Sequence, residues 1–286
     1  VFLKANVTDQ RYCNEAPRNV NGASRKGLAM QIGIFETSEE ASAAAARGIV
    51  DLLARKPNAN LGVATGSTPE GLYSELREAH AAGRFTLEGS AAFALDEYVG
   101  IADGHPEKYR NVLRRELVGP EKTGLTEAGL RTPESADADP RLAAGQYEAS
   151  IAAAGGVDLQ ILGIGANGHI GFNEPGGSLV SRTRVEVLSR RTRTDNARFF
   201  DGDVGKVPSR CITQGLGTIM EARSLLLLAF GAQKAEAVRQ LIEGAISAKW
   251  PATVAQMHPD LTVFVDAEAA ERLEYADLYR ERWSLA

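Results

Sequence analysis

The stretch 157–162 (Val-Asp-Leu-Gln-Ile-Leu) empties into a loop with glycines at 163, 165, 168 and 171. A short apolar run bounded by turn residues reads as a buried strand. Asn167, His169 and Glu174 fall within eight positions of one another on the loop that follows. Open α/β sheets bind their ligands beyond the carboxyl ends of strands. An imidazole changes charge near neutral pH, and a neighbouring carboxylate tunes it. A lone histidine here would read as a solvated loop residue, and a lone Asn as a helix cap. The three together read as a site.

The rest of the chain repeats the theme of strand, loop and helix. Met30–Phe35 reads as a strand. Thr37 with Glu40 three residues on is a capping box that opens an Ala-rich helix to about Arg55. Residues 60–64 form a short strand, and Thr68 as N-cap with Pro69 at the first helical position starts a helix that stops near Gly83. Residues 91–95 are a strand ending at Asp96. Residues 107–117 and 140–154 read as helices, 223–230 (with four consecutive leucines, 225–228) as a fully buried strand, 232–243 as a helix and 261–265 as a late strand before a C-terminal helix. Strands alternating with helices predict an α/β fold, a Rossmann-like open, mostly parallel sheet with helices on both faces. Residues 30–286 are expected to form one domain. Residues 1–29 have no sustained period and read as a disordered leader or a misassigned start, with an arm docked on a neighbouring subunit as the competing reading. The polar, Arg-rich segment 176–208 is expected to be a lid, since long loops in compact domains are usually functional.

Composition narrows the partners. With 286 residues the chain can bury a sizeable core. Its 32 Lys+Arg against 37 Asp+Glu give a net charge of −5 and no general attraction to nucleic acid or an anionic membrane. An anionic ligand must therefore be held by local groups. Two cysteines, Cys13 and Cys211, are too few for a disulfide framework. No stretch is long enough to cross a membrane and no signal-peptide pattern opens the chain, so a cytoplasmic location is expected.

Three further constellations stand out. Thr65-Gly66-Ser67-Thr68 lies between a strand and a helix start, where free N–H groups, the helix dipole and two hydroxyls suit a phosphate. No Gly-Lys-Ser/Thr follows, so a sugar phosphate fits better than ATP. Asp96 and Glu97 are adjacent, and in an extended chain they point to opposite sides. A carboxylate partly desolvated there gains the pKa of a general base; a salt-bridged or helix-capping pair is the plainer reading. Arg198 and Lys234 are candidate phosphate clamps, and each would otherwise read as a solvated surface cation. His80, His105 and His258 make no metal-ligand spacing, so no metal is expected. Trp250 and Trp283 read as packing residues.

Five motifs occur in order: Thr-Gly-Ser-Thr-Pro at 65–69, Leu-Asp-Glu-Tyr-Val-Gly at 95–100, Gly-Ala-Asn-Gly-His-Ile-Gly-Phe-Asn-Glu-Pro at 165–175, Ser-Arg-Thr-Arg at 181–184 and Gly-Ala-Gln-Lys-Ala at 231–235. From about Met30 onwards the chain resembles the glucosamine-6-phosphate deaminase family. The resemblance implies conversion of D-glucosamine 6-phosphate and water to D-fructose 6-phosphate and ammonia, in amino-sugar catabolism, by steps that need no metal or redox cofactor. It implies that Asp96 moves a proton from C2 to C1, that His169 opens the pyranose ring and that Glu174 polarises it. Thr65, Gly66, Ser67, Thr68, Arg198 and Lys234 would hold the phosphate. Related enzymes include hexamers and monomers, so a homo-oligomer is compatible with the resemblance. Two positions depart from the pattern. Asn167 stands where one branch has Asp, so it can orient but not relay a proton. Glu186 stands where regulated members have Lys, which implies weak or absent activation by N-acetylglucosamine 6-phosphate. The alternatives are a 6-phosphogluconolactonase on the same scaffold, and a non-catalytic sugar-phosphate sensor.

Overall fold

The computed structural model describes residues 30–134 and 139–285. The reading of residues 1–29 lies outside them. The elements, in chain order, are β1 (Met30–Phe35), α1 (Ser38–Arg55), β2 (Leu61–Val63), α2 (Thr68–Ala81), β3 (Ala92–Ala94), β4 (Asp96–Tyr98), α3 (Tyr109–Leu117), β5 (Leu130–Arg131), α4 (Pro140–Ala153), β6 (Leu159–Gly163), β7 (Arg184–Val187), α5 (Arg190–Asn196), β8 (Arg210–Thr213), α6 (Leu216–Ile219), β9 (Ser224–Ala229), α7 (Ala235–Glu243), β10 (Leu261–Asp266) and α8 (Ala276–Leu285).

Seven strands form one sheet in the order β1-β10-β9-β6-β2-β3-β5, and every pairing within it is parallel. The leucine run of β9 shows why the sheet is covered on both sides. Leu225 and Leu227 belong to one buried cluster with Tyr147 and Ile151 of α4 and Val238 and Leu241 of α7. Leu226 and Leu228 belong to another, with Ile49 of α1, Leu72 and Leu76 of α2 and Leu113 of α3. Alternate residues of a strand point to opposite faces, so a continuous apolar run is the signature of burial on both. Truncating Leu227, which is fully buried, to Ala is expected to cost about 2–5 kcal/mol.

Helix starts follow the sequence with one correction. Thr37 caps α1, its Oγ1 accepting the N–H of Glu40 at 3.2 Å. The N-cap of α2, however, is Ser67 rather than Thr68, and no side chain bonds the helix amides there. The Ser67 hydroxyl instead lies 3.4 Å from Arg198 Nη2.

The expected strand 91–95 is also corrected. It ends at Ala94, and a separate three-stranded antiparallel sheet, β4-β8-β7, begins at Asp96. Leu95 is the crossing point. Its N–H bonds Val63 O in the large sheet, and its carbonyl accepts Gln214 N–H beside the small one, both at 2.9 Å. The segment 176–208 is likewise not a plain loop, since it supplies β7 and α5. A third apolar cluster, with Tyr98, Phe172, Leu188, Phe200 and Cys211, joins this layer to the loop that follows β6.

Candidate active site

In the large sheet β2 and β6 are neighbours. The chain leaves β2 towards β3 on one side and leaves β6 towards β9 on the other. Such a reversal opens a crevice at the carboxyl ends of the two strands. A cleft of about 920 Å³ lies there. It is lined by 64–68 after β2, Asp96 after β3, 163–166 and His169 after β6, Gly231 and Lys234 after β9, and Arg191, Asp195 and Arg198 from the segment above. Eight of the residues singled out in the sequence thus meet in one place: Thr65, Gly66, Ser67, Thr68, Asp96, His169, Arg198 and Lys234. Asn167 and Glu174 stand behind His169 rather than on the wall.

The two adjacent carboxylates separate. Glu97 is turned inward, where its oxygens accept the N–H groups of Tyr98 (2.9 Å), Tyr109 (3.0 Å) and Arg110 (2.9 Å). It therefore caps α3, whose own N-cap residue Lys108 supplies no side-chain bond. Asp96, 6 % exposed, faces the cleft. Burial, and then the charge of Glu97, push its carboxyl well above the usual range. That is the direction a general base requires.

His169 is seated by its loop. Its carbonyl accepts Gly165 N–H at 2.8 Å, and its N–H donates to Asn167 Oδ1 at 3.2 Å. A Cβ at Gly165 would come within 2.3 Å of the ring, so the glycine makes room for the imidazole. Burial lowers the His169 pKa, opposed by Glu174 and reinforced by Lys234. The imidazole is therefore biased towards the neutral form, which can accept a proton. Burial raises the Glu174 carboxyl, but the Thr192 hydroxyl, the charge of His169 and the Ser189 groups outweigh it and leave its pKa below the usual value. Glu174 reaches the histidine through Asn167, whose Nδ2 donates to Glu174 Oε2 at 3.0 Å. His169 Nδ1 is buried with no hydrogen-bond partner among the described residues.

The other end of the cleft is cationic. Among the described residues no carboxylate pairs with Arg191, Arg198 or Lys234 within salt-bridge distance. Burial and the charge of Arg198 lower the Lys234 pKa, with Asp195 opposing. Arg198 also stacks on the Phe199 ring, 4.7 Å from its centroid. Gly66, at a φ of +96°, brings the backbone round to the start of α2. Unpaired cations beside an uncapped helix start suit an anion.

Sequence reasoning gave no role to Arg191, Thr192 or Asp195, and it placed Gly165 on the loop without its part in seating the ring. Ser189-x-x-Thr192 was a legible cap signal, because Ser189 Oγ accepts Thr192 N–H. No group of His, Cys, Asp and Glu side chains suited to a metal occurs among the described residues, and no helix of them is long and apolar enough to cross a membrane.

The sequence profile described as glucosamine-6-phosphate isomerases/6-phosphogluconolactonase matches residues 35–264. The glucosamine-6-phosphate deaminase of Mycolicibacterium smegmatis is 51 % identical over 254 residues, covering 89 % of this chain and 97 % of the relative. That of Pseudarthrobacter chlorophenolicus is 52 % identical over 254 residues, with 89 % and 96 % covered. A solved monomeric glucosamine-6-phosphate deaminase superposes with a TM-score of 0.81 at 40 % identity, over 85 % of this chain and 99 % of its own. The 6-phosphogluconolactonase of Trypanosoma brucei reaches a TM-score of 0.69 at 22 % identity, over 86 % of this chain and 100 % of its own, a likeness of fold alone. With its cleft at the β2/β6 crevice and relatives this close along most of its length, the chain belongs to the family of glucosamine-6-phosphate isomerases and 6-phosphogluconolactonases, on its deaminase side.

Proposed function

We infer that the chain is an enzyme converting D-glucosamine 6-phosphate and water to D-fructose 6-phosphate and ammonia. The observation that carries this reading is the shared cleft: a buried carboxylate and a neutral-biased imidazole at one end, unpaired cations at the other. Arg198, Lys234 and 65–68 hold the phosphate, which orients a flexible open-chain sugar.

The C2 proton is acidic only once C1 is an aldehyde, so ring opening comes first. Neutral His169 takes the proton from the O1 hydroxyl and returns it to O5 as the C1–O5 bond breaks. Glu174 stabilises the transient imidazolium through its charge. Ionised Asp96 then removes the C2 proton while the substrate's ammonium passes a proton to O1, giving a neutral enolamine, and protonated Asp96 delivers its proton to C1. The electron pair returns to leave C1 as CH₂OH and C2 as an imine. Water adds to C2 and ammonia departs, leaving the ketone. Each placed acid or base contributes roughly 10²–10⁴-fold. All assigned residues come from one chain, so a monomer suffices for the chemistry. A phosphorylated sugar does not cross a membrane unaided, which supports a cytoplasmic setting. Segment 176–208, carrying Arg198 over the cleft, serves as the lid.

The test is a coupled assay of ammonia and fructose 6-phosphate with the purified chain, run beside a 6-phosphogluconolactone hydrolysis assay. Stoichiometric ammonia and ketose are expected. Lactone hydrolysis without ammonia release would reverse the assignment.

A further inference from the structure

Helix α5 meets the His169 loop at Glu174. Oε1 of that carboxylate accepts the Thr192 hydroxyl and the N–H of Ser189 at 3.2 Å. Oε2 accepts Asn167 Nδ2 at 3.0 Å, and Asn167 Oδ1 in turn accepts the N–H of His169 at 3.2 Å. The Thr192 hydroxyl is itself supplied: Ser189 Oγ donates to it at 3.0 Å while accepting Thr192 N–H at 3.1 Å. Donor directions are thereby set from Ser189 to Thr192 to Glu174. An ionised carboxylate only accepts, whereas a protonated one has a hydrogen to donate and would disturb this order. Thr192 is buried at 2 % exposure, so water does not readily replace it.

We propose that Thr192, backed by Ser189, is a positioning residue for the proton shuttle: seating of α5 over the cleft holds Glu174 ionised and aimed at Asn167, and so fixes the His169 loop. This deepens the proposed function and rests on its assignment of ring opening to His169. Arg198, which grips the phosphate, lies two residues beyond α5, in the turn that follows it. The charged groups that face the His169–Glu174 pair are Arg191 and Asp195 from α5 and Lys234 from the turn after β9.

The experiment compares T192V, T192S, E174Q and the T192V/E174Q double variant of the full chain, measuring ammonia release against pH. A hydrogen bond to a carboxylate favours its ionised form. Loss of the hydroxyl in T192V is expected to raise the Glu174 ionisation, the lower of two on the acid limb of kcat/KM after that of Asp96, by roughly one pH unit and to lower kcat roughly tenfold. KM should stay within about twofold, because Arg198 and Lys234 remain. T192S, which keeps the hydroxyl, is expected to restore both. On the E174Q background T192V should add no further shift, since the group it acts through is gone. If T192V does not fold, S189A, which removes the donor behind Thr192, should shift the limb in the same direction. A T192V variant with raised KM and an unmoved acid limb, or a T192S variant as poor as T192V, overturns the proposal. If E174Q alone leaves kcat and the profile unchanged, the role of Glu174 itself fails, whatever Thr192 does.

Discussion

The imidazole of His169 lies against the alpha carbon of Gly165: a Cβ there would sit 2.3 Å from Cε1 and 2.5 Å from Nδ1. Its amide also bonds the His169 carbonyl at 2.8 Å. The glycine therefore sets where the ring lies. Gly165→Ala is expected to displace it and lower kcat by more than about tenfold, with KM little changed, because overpacking moves side chains by fractions of an ångström and reacting groups tolerate little. Steady-state kinetics with a circular-dichroism melt checks this; unchanged kcat in a folded variant would show that the ring has room elsewhere.

Asp96→Asn should abolish turnover, by about 10³-fold or more, while leaving inorganic phosphate binding nearly intact. It should also stabilise the fold. Burial raises the Asp96 pKa, so the native state binds that proton more readily than the unfolded chain. Stability from this group is full below the unfolded pKa and is lost as pH rises through the folded value. At pH 7–8 the neutral amide avoids that cost, and Tm should rise by about 2 °C or more. The gain should vanish near pH 3, where both carboxyl states are protonated. In the unsubstituted enzyme the acid limb of activity should begin at the ionisation of Asp96, above the ordinary aspartate range, and steepen at that of Glu174 lower down.

Much of this was legible beforehand, and the exceptions have physical reasons. The two-sided burial of β9 and the capping box at Thr37 are local signals, and the structure follows them. The small antiparallel sheet was not, because its strands are only three or four residues long: β7 alternates polar and apolar residues yet leaves Val187 exposed, and all three residues of β4 are buried. Glu97 shows the same limit. Its three amide partners include two from α3, twelve and thirteen positions along the chain, and no window of sequence displays such a cap. Nor could Thr192 be connected to Glu174 before β7 folded back over the loop.

At the phosphate end, Lys234→Ala and Arg198→Ala should each raise KM roughly 10- to 100-fold with a smaller effect on kcat, in line with loss of a charge-assisted hydrogen bond of about 1.5–3 kcal/mol. Arg198→Lys should recover only part, since a lysine lacks the planar fork and the stack on Phe199. Substrate titrations at two ionic strengths provide the check: KM should climb with salt in the parent and less steeply in either variant.

Glu186 bears on regulation. Its Oε2 takes Arg184 Nη2 at 2.6 Å and Nε at 3.1 Å, and Arg184 Nη1 donates to Asn173 Oδ1 at 2.9 Å. With its fork occupied, Arg184 has little left for a second phosphate, and the carboxylate repels one. N-acetylglucosamine 6-phosphate should therefore change kcat/KM by less than about twofold. An effector titration that turns a sigmoidal substrate curve hyperbolic would contradict this.

The peptide of Leu95 is a rivet through two plates. Because its amide belongs to one and its carbonyl to the other, the reach of the neighbouring Asp96 oxygen depends on how the plates are tilted. Substitutions in β7 or β8 that rock the smaller plate would relocate that oxygen without altering the residue that bears it. Engineering for other sugar phosphates can thus begin far from the cleft, at the angle between two backbones.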